Sequence, residues 1–492
     1  MPSLGCTFDF HPVSAADVAG VIMKLKNCGK KDLISAITLK GTVDLTSPEI
    51  AKFVNASIMT GTVPEELKLA RITPIHKGGN RDDETNYRPI SNLPALAKIM
   101  EKCVSDQLID YIMKNNILAE CQYGFRTGSG THAALFDLLT NVYTLRDSGN
   151  IVAVLFVDMQ KAFDTMVHLL LLRKLYGYGI KGTPFDWFSS YILGRKQYVE
   201  SDGVESEHMR TLAGVPQGSK LGPLLFNLYI NDVKNCDWRG NVYLYADDLA
   251  LVVGRRHLKD LWEDLQFNLG LLLDWAGKNK LTVNTSKTKL MLIGADADQL
   301  ICPLCIDQSK PLEIVREYKY LGVLLDDKLT WEPQLLWMRR RISALSGVFG
   351  RTSSHMSDEV KRMMYHALVA PILSYGSLVW SAAGVSRLKG LQRSQNQVIK
   401  RLFSLPRLTP SKSLFEDYKF KTLHETINQE RTTHITKIIN NRMLSNITIG
   451  FPAHGHNVRH SNKIVIPKSN TTKYGLRSPF ALAARAYNES SA

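Results

Sequence analysis

The chain has 492 residues, several times the size of an average domain, so we expect about two to four packed units. Its 61 Lys and Arg residues outnumber its 46 Asp and Glu residues, and the net charge of +15 favours an anionic partner such as nucleic acid or a membrane surface. Seven scattered cysteines argue against a secreted disulfide framework. No signal peptide or bilayer-spanning apolar run is visible, so we expect an intracellular protein of the cytoplasm and nucleus without a membrane partner.

The first part of the chain is predicted to be mainly helical. Apolar residues recur at helical spacing over 14–26, where Ser14 is a candidate N-cap. The same spacing predicts helices over 91–114 and 131–147.

Between about 150 and 325 the pattern changes to mixed α/β. The run IVAVLFVD predicts a buried strand that ends in a carboxylate, and NVYLYADDLALVV predicts two short strands around an acidic turn. Further elements are predicted in chain order: helices over 166–176, 221–231 and 259–277, then strands in KLTVNTSKTKLMLIG and YKYLGVLLDD.

Beyond Thr330 the chain is predicted to be helical and strongly basic, and after about Pro406 the periodicity weakens. We interpret five interleaved aromatic residues at helical spacing as core, with base stacking as the alternative: Trp331, Trp337, Tyr365, Tyr375 and Trp380.

Three carboxylates lie at the ends of predicted strands. Asp158 closes an apolar strand, and Asp247 and Asp248 lie at the tip of a hairpin. Carboxylates beside buried strands are costly unless they are paired or bind a metal ion, and adjacent ones repel unless a cation is present. An isolated Asp-Asp pair is usually a plain turn. Two such elements in one α/β region instead indicate hard oxygen ligands for Mg²⁺.

Three segments in a fixed order resemble motifs A, B and C of reverse transcriptases: VLFVDMQKAFDTMVH, AGVPQGSKLGPLLFNLYINDV and YLYADDLALVV. Flanking segments resemble the fingers motifs and motifs D and E of that family: ARITPIHKGGN, NYRPISNLPALAKIMEK, QYGFRTGSGTHAAL, WAGKNKLTVNTSKTKLM and YKYLGVLLDDKLTW. The resemblance runs from about residue 8 nearly to the C-terminus. It is typical of non-LTR (LINE-type) retrotransposons, and of their CR1/Jockey-like branch in particular.

The resemblance implies a right-hand polymerase of mixed α/β (α+β) fold, with helical fingers, a ferredoxin-like palm sheet that carries motifs A and C on neighbouring strands, and a helical thumb. The expected divisions are an N-terminal helical extension over 1–57, fingers and palm over 58–326, a basic thumb over 327–410 and a C-terminal region over 411–492. The implied function is RNA-directed DNA polymerase. The enzyme would add dNTPs to the 3′-hydroxyl of a DNA primer on an RNA template.

The resemblance also assigns roles in two-metal catalysis. Asp158, Asp247 and Asp248 would hold two Mg²⁺ ions, with Mn²⁺ as an alternative, and the backbone carbonyl of Met159 could add a ligand. Lys287 matches a motif D lysine that is proposed to protonate the leaving pyrophosphate.

Phe163 lies where reverse transcriptases carry an aromatic steric gate, which would exclude a ribose 2′-hydroxyl and favour dNTPs. A viral RNA polymerase would place a carboxylate there. Without the motif, Phe163 would be interpreted as a core residue on an apolar stripe. Asp164 is interpreted as a helix N-cap or a hydrogen-bond acceptor rather than a metal ligand.

Other residues of the motifs would bind the nucleotide. Gln217 and Gly218 belong to a PQG turn, in which glycine permits close backbone approach and glutamine can hydrogen-bond near the sugar. Lys77 and Arg88 match fingers residues that approach the triphosphate, although a solvated surface position is the ordinary alternative for each.

Two alternatives to this function are open. The chain could be a group II intron-like or telomerase-like reverse transcriptase, although neither a maturase X domain nor a telomerase RNA-binding domain is apparent. It could also be a non-catalytic or domesticated nucleic-acid-binding remnant. We expect no endonuclease and no RNase H segment, so the chain would extend a primer without making one. The sequence specifies no oligomeric state.

A structural zinc site is not favoured. Cys302 and Cys305 form a C-x₂-C pair, but no second Cys or His pair follows at zinc-site spacing, and the histidines at 454, 456 and 460 are too distant.

Overall fold

The computed structural model describes residues 5–26, 34–201, 203–295, 302–306, 311–451 and 463–490. The chain divides into two compact units, each built from three separate stretches. Unit 1 comprises 1–125, 159–237 and 271–284, and unit 2 comprises 126–158, 238–270 and 285–492. The four linear divisions expected from the sequence stay a prediction. The histidines at 454, 456 and 460 lie outside the described residues.

Unit 1 contains a five-stranded sheet. Its strand Leu69–His76 pairs antiparallel with Tyr87–Asn92 and parallel with Lys196–Ser201. The last of these also pairs antiparallel with two short strands, Val204–Glu205 and Met209–Arg210. The α-helices of unit 1 are Ala15–Met23, Ala36–Gly41, Val43–Thr60, Ala95–Lys114, Ala162–Thr165, His168–Gly177, Thr183–Ile192 and Gly222–Ile230. Its 3-10 helices are Glu65–Lys68, Glu84–Asn86 and Asn231–Asn235.

Unit 2 is built on a second five-stranded sheet. The central strand Ile151–Val157 runs antiparallel to both of its neighbours, Asp248–Arg255 and Lys289–Ile293. Asn241–Tyr245 pairs antiparallel with Asp248–Arg255, and Glu313–Ile314 pairs parallel with Lys289–Ile293. From Val152 to Val157 every residue of the central strand is buried. The predicted placement of motifs A and C on neighbouring strands is therefore confirmed.

The rest of unit 2 is mainly helical, with a two-stranded hairpin of Glu317–Tyr320 and Val323–Asp326. Its α-helices are Thr131–Asp147, Glu332–Thr352, Asp358–Met364, Ala370–Ser374, Ser377–Trp380, Val385–Leu402, Ser411–Tyr418, Leu423–Ile439 and Pro479–Ser490. A 3-10 helix spans Ser353–His355, and π-helical turns span Tyr365–Val369 and Thr472–Leu476. The helix Leu258–Lys278 begins in unit 2 and ends in unit 1.

Aromatic residues beyond Thr330 are mostly core, as predicted. Trp331, Tyr365 and Trp380 are buried, whereas Trp337 and Tyr375 are half-buried. None of the described helices is both long and apolar enough to cross a membrane.

The structure corrects some predicted boundaries. The helix expected over 91–114 begins at Ala95, because Pro94 has an extended conformation that ends the preceding segment. Residues 91 and 92 instead belong to the strand Tyr87–Asn92. The strand expected in KLTVNTSKTKLMLIG is restricted to Lys289–Ile293.

Candidate active site

Asp158 and Asp248 lie at the same edge of the unit 2 sheet. The antiparallel register pairs Val157 with Leu249, which puts Asp158 opposite Asp248 at the next position. Asp158 is half-buried and Asp248 is exposed, so both carboxylates can reach a ligand from solvent. Two acidic side chains on adjacent strands repel each other, and a cation between them would relieve the repulsion.

Asp247 occupies the turn that joins the two hairpin strands. The last pair of the hairpin is Tyr245 with Asp248, so the turn consists of Ala246 and Asp247. Ala246 has a φ of 55°, a left-handed conformation that costs a non-glycine residue about 1 kcal/mol. Backbone strain of this kind concentrates at functional sites, and here it lies directly before Asp247 and Asp248.

Lys287 also lies at this edge. Its Nζ is 3.8 Å from Oδ2 of Asp158, and its side chain is 69% exposed. Thr288 follows Lys287 in the chain, and its Oγ1 accepts a hydrogen bond from the backbone N–H of Asp158 at 3.4 Å. An ion pair this exposed contributes little to stability. Its relevance to the site is that it places an ammonium group beside a carboxylate.

Tyr318 is a residue of this edge that sequence reasoning missed. Its ring stacks on Phe156 with the centroids 4.1 Å apart and the planes at 16°. Burial raises the pKa of Tyr318, and the carboxylates of Asp248 and Asp158 raise it further, which keeps the phenol neutral. The only signal in the sequence was its place in the motif E segment.

The donor set fits a hard divalent cation. Among the described residues, no group of three or more His, Cys, Asp or Glu side chains is close enough to form a metal cage. Mg²⁺, however, usually keeps several waters and is bound by one or two carboxylates together with substrate phosphates. The edge that Asp158 and Asp248 share therefore suits an ion whose coordination the substrate completes.

Phe163 is half-buried in unit 1. Its ring stacks on Phe226, with the centroids 4.4 Å apart and the planes at 27°. Its backbone carbonyl accepts a hydrogen bond from the N–H of Val215 at 3.0 Å. The core interpretation is therefore partly correct, since one face of the ring is packed, but the residue is not enclosed.

The Pro216–Gly218 turn is tied to motif A. Gln217 Nε2 donates to Oδ1 of Asp164 at 2.7 Å. Burial raises the pKa of Asp164, while the hydrogen bond from Gln217 opposes the rise. Asp164 is thus a hydrogen-bond acceptor, one of its two predicted roles; the N-cap of its helix is Lys161. Gly218 has a φ of 114°, a conformation that glycine alone adopts without strain.

Lys77 and Arg88 lie on one hairpin of unit 1. Arg88 pairs with Ile75, and the N–H of Lys77 continues the ladder by donating to the carbonyl of Asn86 at 2.8 Å. Side chains alternate along a strand, so Lys77 and Arg88 extend from the same face of the hairpin. Both are exposed.

The predicted site residues therefore form two sets, one in each unit. Unit 2 holds Asp158, Asp247, Asp248 and Lys287, and unit 1 holds Phe163, Gln217, Gly218, Lys77 and Arg88. The catalytic and binding roles of these residues stay predictions. At the C-x₂-C pair, Cys302 is buried and Cys305 exposed.

Residues 75–325, which include both sets, match the family model of reverse transcriptase (RNA-dependent DNA polymerase). The chain belongs to this family. The membership confirms the predicted fold class, since reverse transcriptases are right-hand polymerases of mixed α/β fold. These enzymes generally use divalent metal ions, in agreement with the oxygen donors at the sheet edge.

Curated relatives identify the branch. A probable RNA-directed DNA polymerase from transposon X-element of Drosophila melanogaster is 29% identical over 441 residues, which cover 88% of this chain and 48% of the relative. The RNA-directed DNA polymerase from mobile element jockey of Drosophila funebris is 27% identical over 434 residues, which cover 85% and 47%. The chain thus spans about half the length of the curated relatives it matches. The predicted relationship to Jockey-like non-LTR retrotransposon enzymes is confirmed.

Among solved structures, apo telomerase from Candida tropicalis, truncated from its C-terminal domain, aligns with a TM-score of 0.37 and 12% identity over 54% of each chain.

Proposed function

We propose that this chain is an RNA-directed DNA polymerase that adds dNTPs to the 3′-hydroxyl of a DNA primer on an RNA template. The observation that carries the proposal is the antiparallel strand register that brings Asp158 and Asp248 to one edge of the unit 2 sheet, in a chain of the reverse transcriptase family. Phosphoryl transfer depends mainly on positioning and charge stabilisation, and paired carboxylates at a strand edge supply both when they hold metal ions.

Asp158, Asp247 and Asp248 would hold two Mg²⁺ ions, for which Mn²⁺ could substitute. When bound, such ions lower the pKa of the primer hydroxyl and neutralise charge on the α-phosphate and the leaving pyrophosphate. Lys287, with its ammonium 3.8 Å from Asp158, would give a proton to that pyrophosphate.

The unit 1 residues would select and hold the nucleotide. Phe163, whose ring is backed by Phe226, would exclude a ribose 2′-hydroxyl and so favour dNTPs. Gln217, oriented by its hydrogen bond to Asp164, would contact the sugar. Lys77 and Arg88, which extend from one face of their hairpin, would contact the triphosphate oxygens.

Primer extension on poly(rA)/oligo(dT) with Mg²⁺ tests this function. We expect the wild type to incorporate dTMP, chelation of the metal to stop incorporation, and the Asp247→Ala/Asp248→Ala double variant to give only background. Binding of the same primer–template is measured in parallel for both proteins. If the wild type and the double variant bind the primer–template equally tightly, and the wild type incorporates no more dTMP than the double variant, the polymerase proposal fails. The non-catalytic, nucleic-acid-binding alternative then takes its place.

A further inference from the structure

A buried carboxylate on the helix Ala95–Lys114 holds the chain just after the Pro216–Gly218 turn. Glu101 is only 2% exposed. Its Oε2 accepts a hydrogen bond from the backbone N–H of Lys220 at 2.7 Å, and its Oε1 accepts one from the hydroxyl of Tyr191 at 2.7 Å. All three residues belong to unit 1. Both oxygens of the carboxylate are therefore engaged by donors that are distant in sequence.

The surroundings of Glu101 support a fixed geometry. Tyr191 is buried, so its hydroxyl meets the carboxylate of Glu101 away from solvent. The guanidinium of Arg195, also buried, lies 5.0 Å from the centroid of the Tyr191 ring. Burial raises the pKa of Glu101, while the hydrogen bonds from Lys220 and Tyr191 oppose the rise. A buried acid is destabilising unless it is hydrogen-bonded, and a well-packed apolar residue could fill the same space. Packing alone therefore does not explain Glu101.

The segment that Glu101 fixes joins the turn to the helix Gly222–Ile230. Oγ of Ser219 accepts a hydrogen bond from the N–H of Gly222 at 2.9 Å, which ties the turn to the first residue of the helix. On the other side of the turn, Nε2 of the buried His168 donates to the carbonyl of Gly214 at 2.7 Å. In its middle, the carbonyl of Gln217 accepts from the N–H of Ser91 at 2.7 Å.

We propose that Glu101 is a positioning residue that fixes the Pro216–Gly218 turn, and with it Gln217 and Gly218, in the conformation that binds the incoming nucleotide. The inference rests on the proposed polymerase function. Glu101 acts through the turn. Without its carboxylate, the N–H of Lys220 and the hydroxyl of Tyr191 lose their buried acceptor, and the chain after Gly218 can shift. A displacement of about 1 Å at a substrate-positioning group can lower the rate about a hundredfold.

Three variants separate hydrogen bonding from packing. Glu101→Gln keeps an oxygen for the N–H of Lys220, and its amide can donate to the phenol oxygen of Tyr191. Glu101→Leu keeps much of the volume but offers neither group. Leu108→Ala, a fully buried position on the same helix, is the control for lost stability without loss of the turn contact.

Steady-state kinetics with dTTP on poly(rA)/oligo(dT) is the first readout, with primer–template affinity and thermal stability measured on the same proteins. We expect Glu101→Leu to raise KM for dTTP about tenfold or more and to leave primer–template affinity within a few fold of wild type. Glu101→Gln should return KM close to the wild-type value. Leu108→Ala should lose stability without a change in KM. A Glu101→Leu variant that loses only stability, or a Glu101→Gln variant as impaired as Glu101→Leu, overturns the proposal.

Backbone hydrogen exchange of residues 214–221 is the second readout and requires no activity. Exchange in this segment should accelerate in Glu101→Leu and stay slow in Glu101→Gln and Leu108→Ala. If the wild type fails to incorporate dTMP, the polymerase proposal fails on its own, and exchange still shows whether Glu101 holds the turn. Equal exchange in Glu101→Leu and the wild type overturns the positioning role.

Discussion

The ammonium of Lys287 lies beside the carboxylate of Asp158 at the edge of the unit 2 sheet. The antiparallel pairing of Ile151–Val157 with Lys289–Ile293 ends with Phe156 opposite Lys289, and Lys287 lies in the turn just before that strand. Nζ of Lys287 and Oδ2 of Asp158 are 3.8 Å apart. Asp248 lies opposite Asp158 on the other neighbouring strand. One central carboxylate is thus flanked by an acid on one side and an ammonium on the other.

Substitutions of Lys287 distinguish the role of its positive charge from its ability to donate a proton. Lys287→Arg keeps a positive charge beside Asp158, but arginine binds its proton too tightly to release it near neutral pH, and Lys287→Met removes both the charge and the proton. We expect single-turnover incorporation to slow about tenfold or more in both variants, with little change in KM for the dNTP. Lys289→Met, which removes the ion pair with Glu313 on the neighbouring strand, is the matched control. Wild-type rates in Lys287→Arg would show that charge alone is needed.

Truncation of Phe163 should weaken selection of the sugar. Phe163→Val removes the ring that would meet a ribose 2′-hydroxyl, so we expect the ratio of kcat/KM for dTTP over UTP to fall about tenfold to a hundredfold. Phe226→Leu keeps the gate ring and should keep most of the selectivity. An unchanged ratio in Phe163→Val would remove this residue from the site.

The hydrogen bond between Trp331 and Tyr143 should be measurable as stability. Nε1 of Trp331 donates to the hydroxyl of Tyr143 at 2.9 Å, and both side chains are buried. Tyr143→Phe leaves the indole N–H without its acceptor, so we expect the free energy of unfolding to fall by about 1–3 kcal/mol. Tyr176→Phe, at a tyrosine that is 53% exposed, is the control and should change it by less than about 0.5 kcal/mol. Denaturant unfolding compares the two, and equal effects would contradict the assignment.

The pH dependence of stability should reflect His434. Burial lowers the pKa of His434 to about 3, and His132 and Lys437 contribute to the shift. The unfolded chain takes up a proton below about pH 6.5 while the folded chain does not, so this contribution to stability is complete above pH 6.5 and falls as the pH approaches 3.

At pH 5 the loss from this one group corresponds to about 2 kcal/mol. We expect His434→Leu to show a smaller loss of unfolding free energy between pH 7 and 5 than the wild type, by about that amount. His424→Leu, exposed on the same helix, is the matched control. Parallel curves for wild type and His434→Leu would mean that His434 titrates normally in the fold.

The elements that could be predicted were those with strong local signals. The helix Thr131–Asp147 was predicted at both ends, and the strands that flank Ala246 and Asp247 were recognisable from their apolar arms. The strand Tyr87–Asn92 was missed because its pairing with Leu69–His76 is set by tertiary contacts, not local periodicity. Beyond Pro406 the helix Leu423–Ile439 was missed although Thr422 and Glu425 form a capping box, because its apolar periodicity is weak.

The candidate site shows the same limit. Asp158, Asp247 and Asp248 could be found because they adjoin apolar strands, and the motif order related them. Glu101 could not, because an acid within a helix of mixed polarity resembles a solvated surface residue. Only the fold brings Lys220 and Tyr191 to it. Tyr318 was likewise inconspicuous until its ring was seen to stack on Phe156.

The central claim is that the carboxylate of Asp158 takes part in nucleotide transfer, and Asp158→Asn tests it most directly. Asparagine keeps the size of the side chain and removes the charge, so binding of the primer–template should change little. We expect the single-turnover rate of dTMP incorporation on poly(rA)/oligo(dT) to fall about a thousandfold or more, with primer–template affinity measured on the same preparations. A rate within a few fold of the wild type would contradict the account.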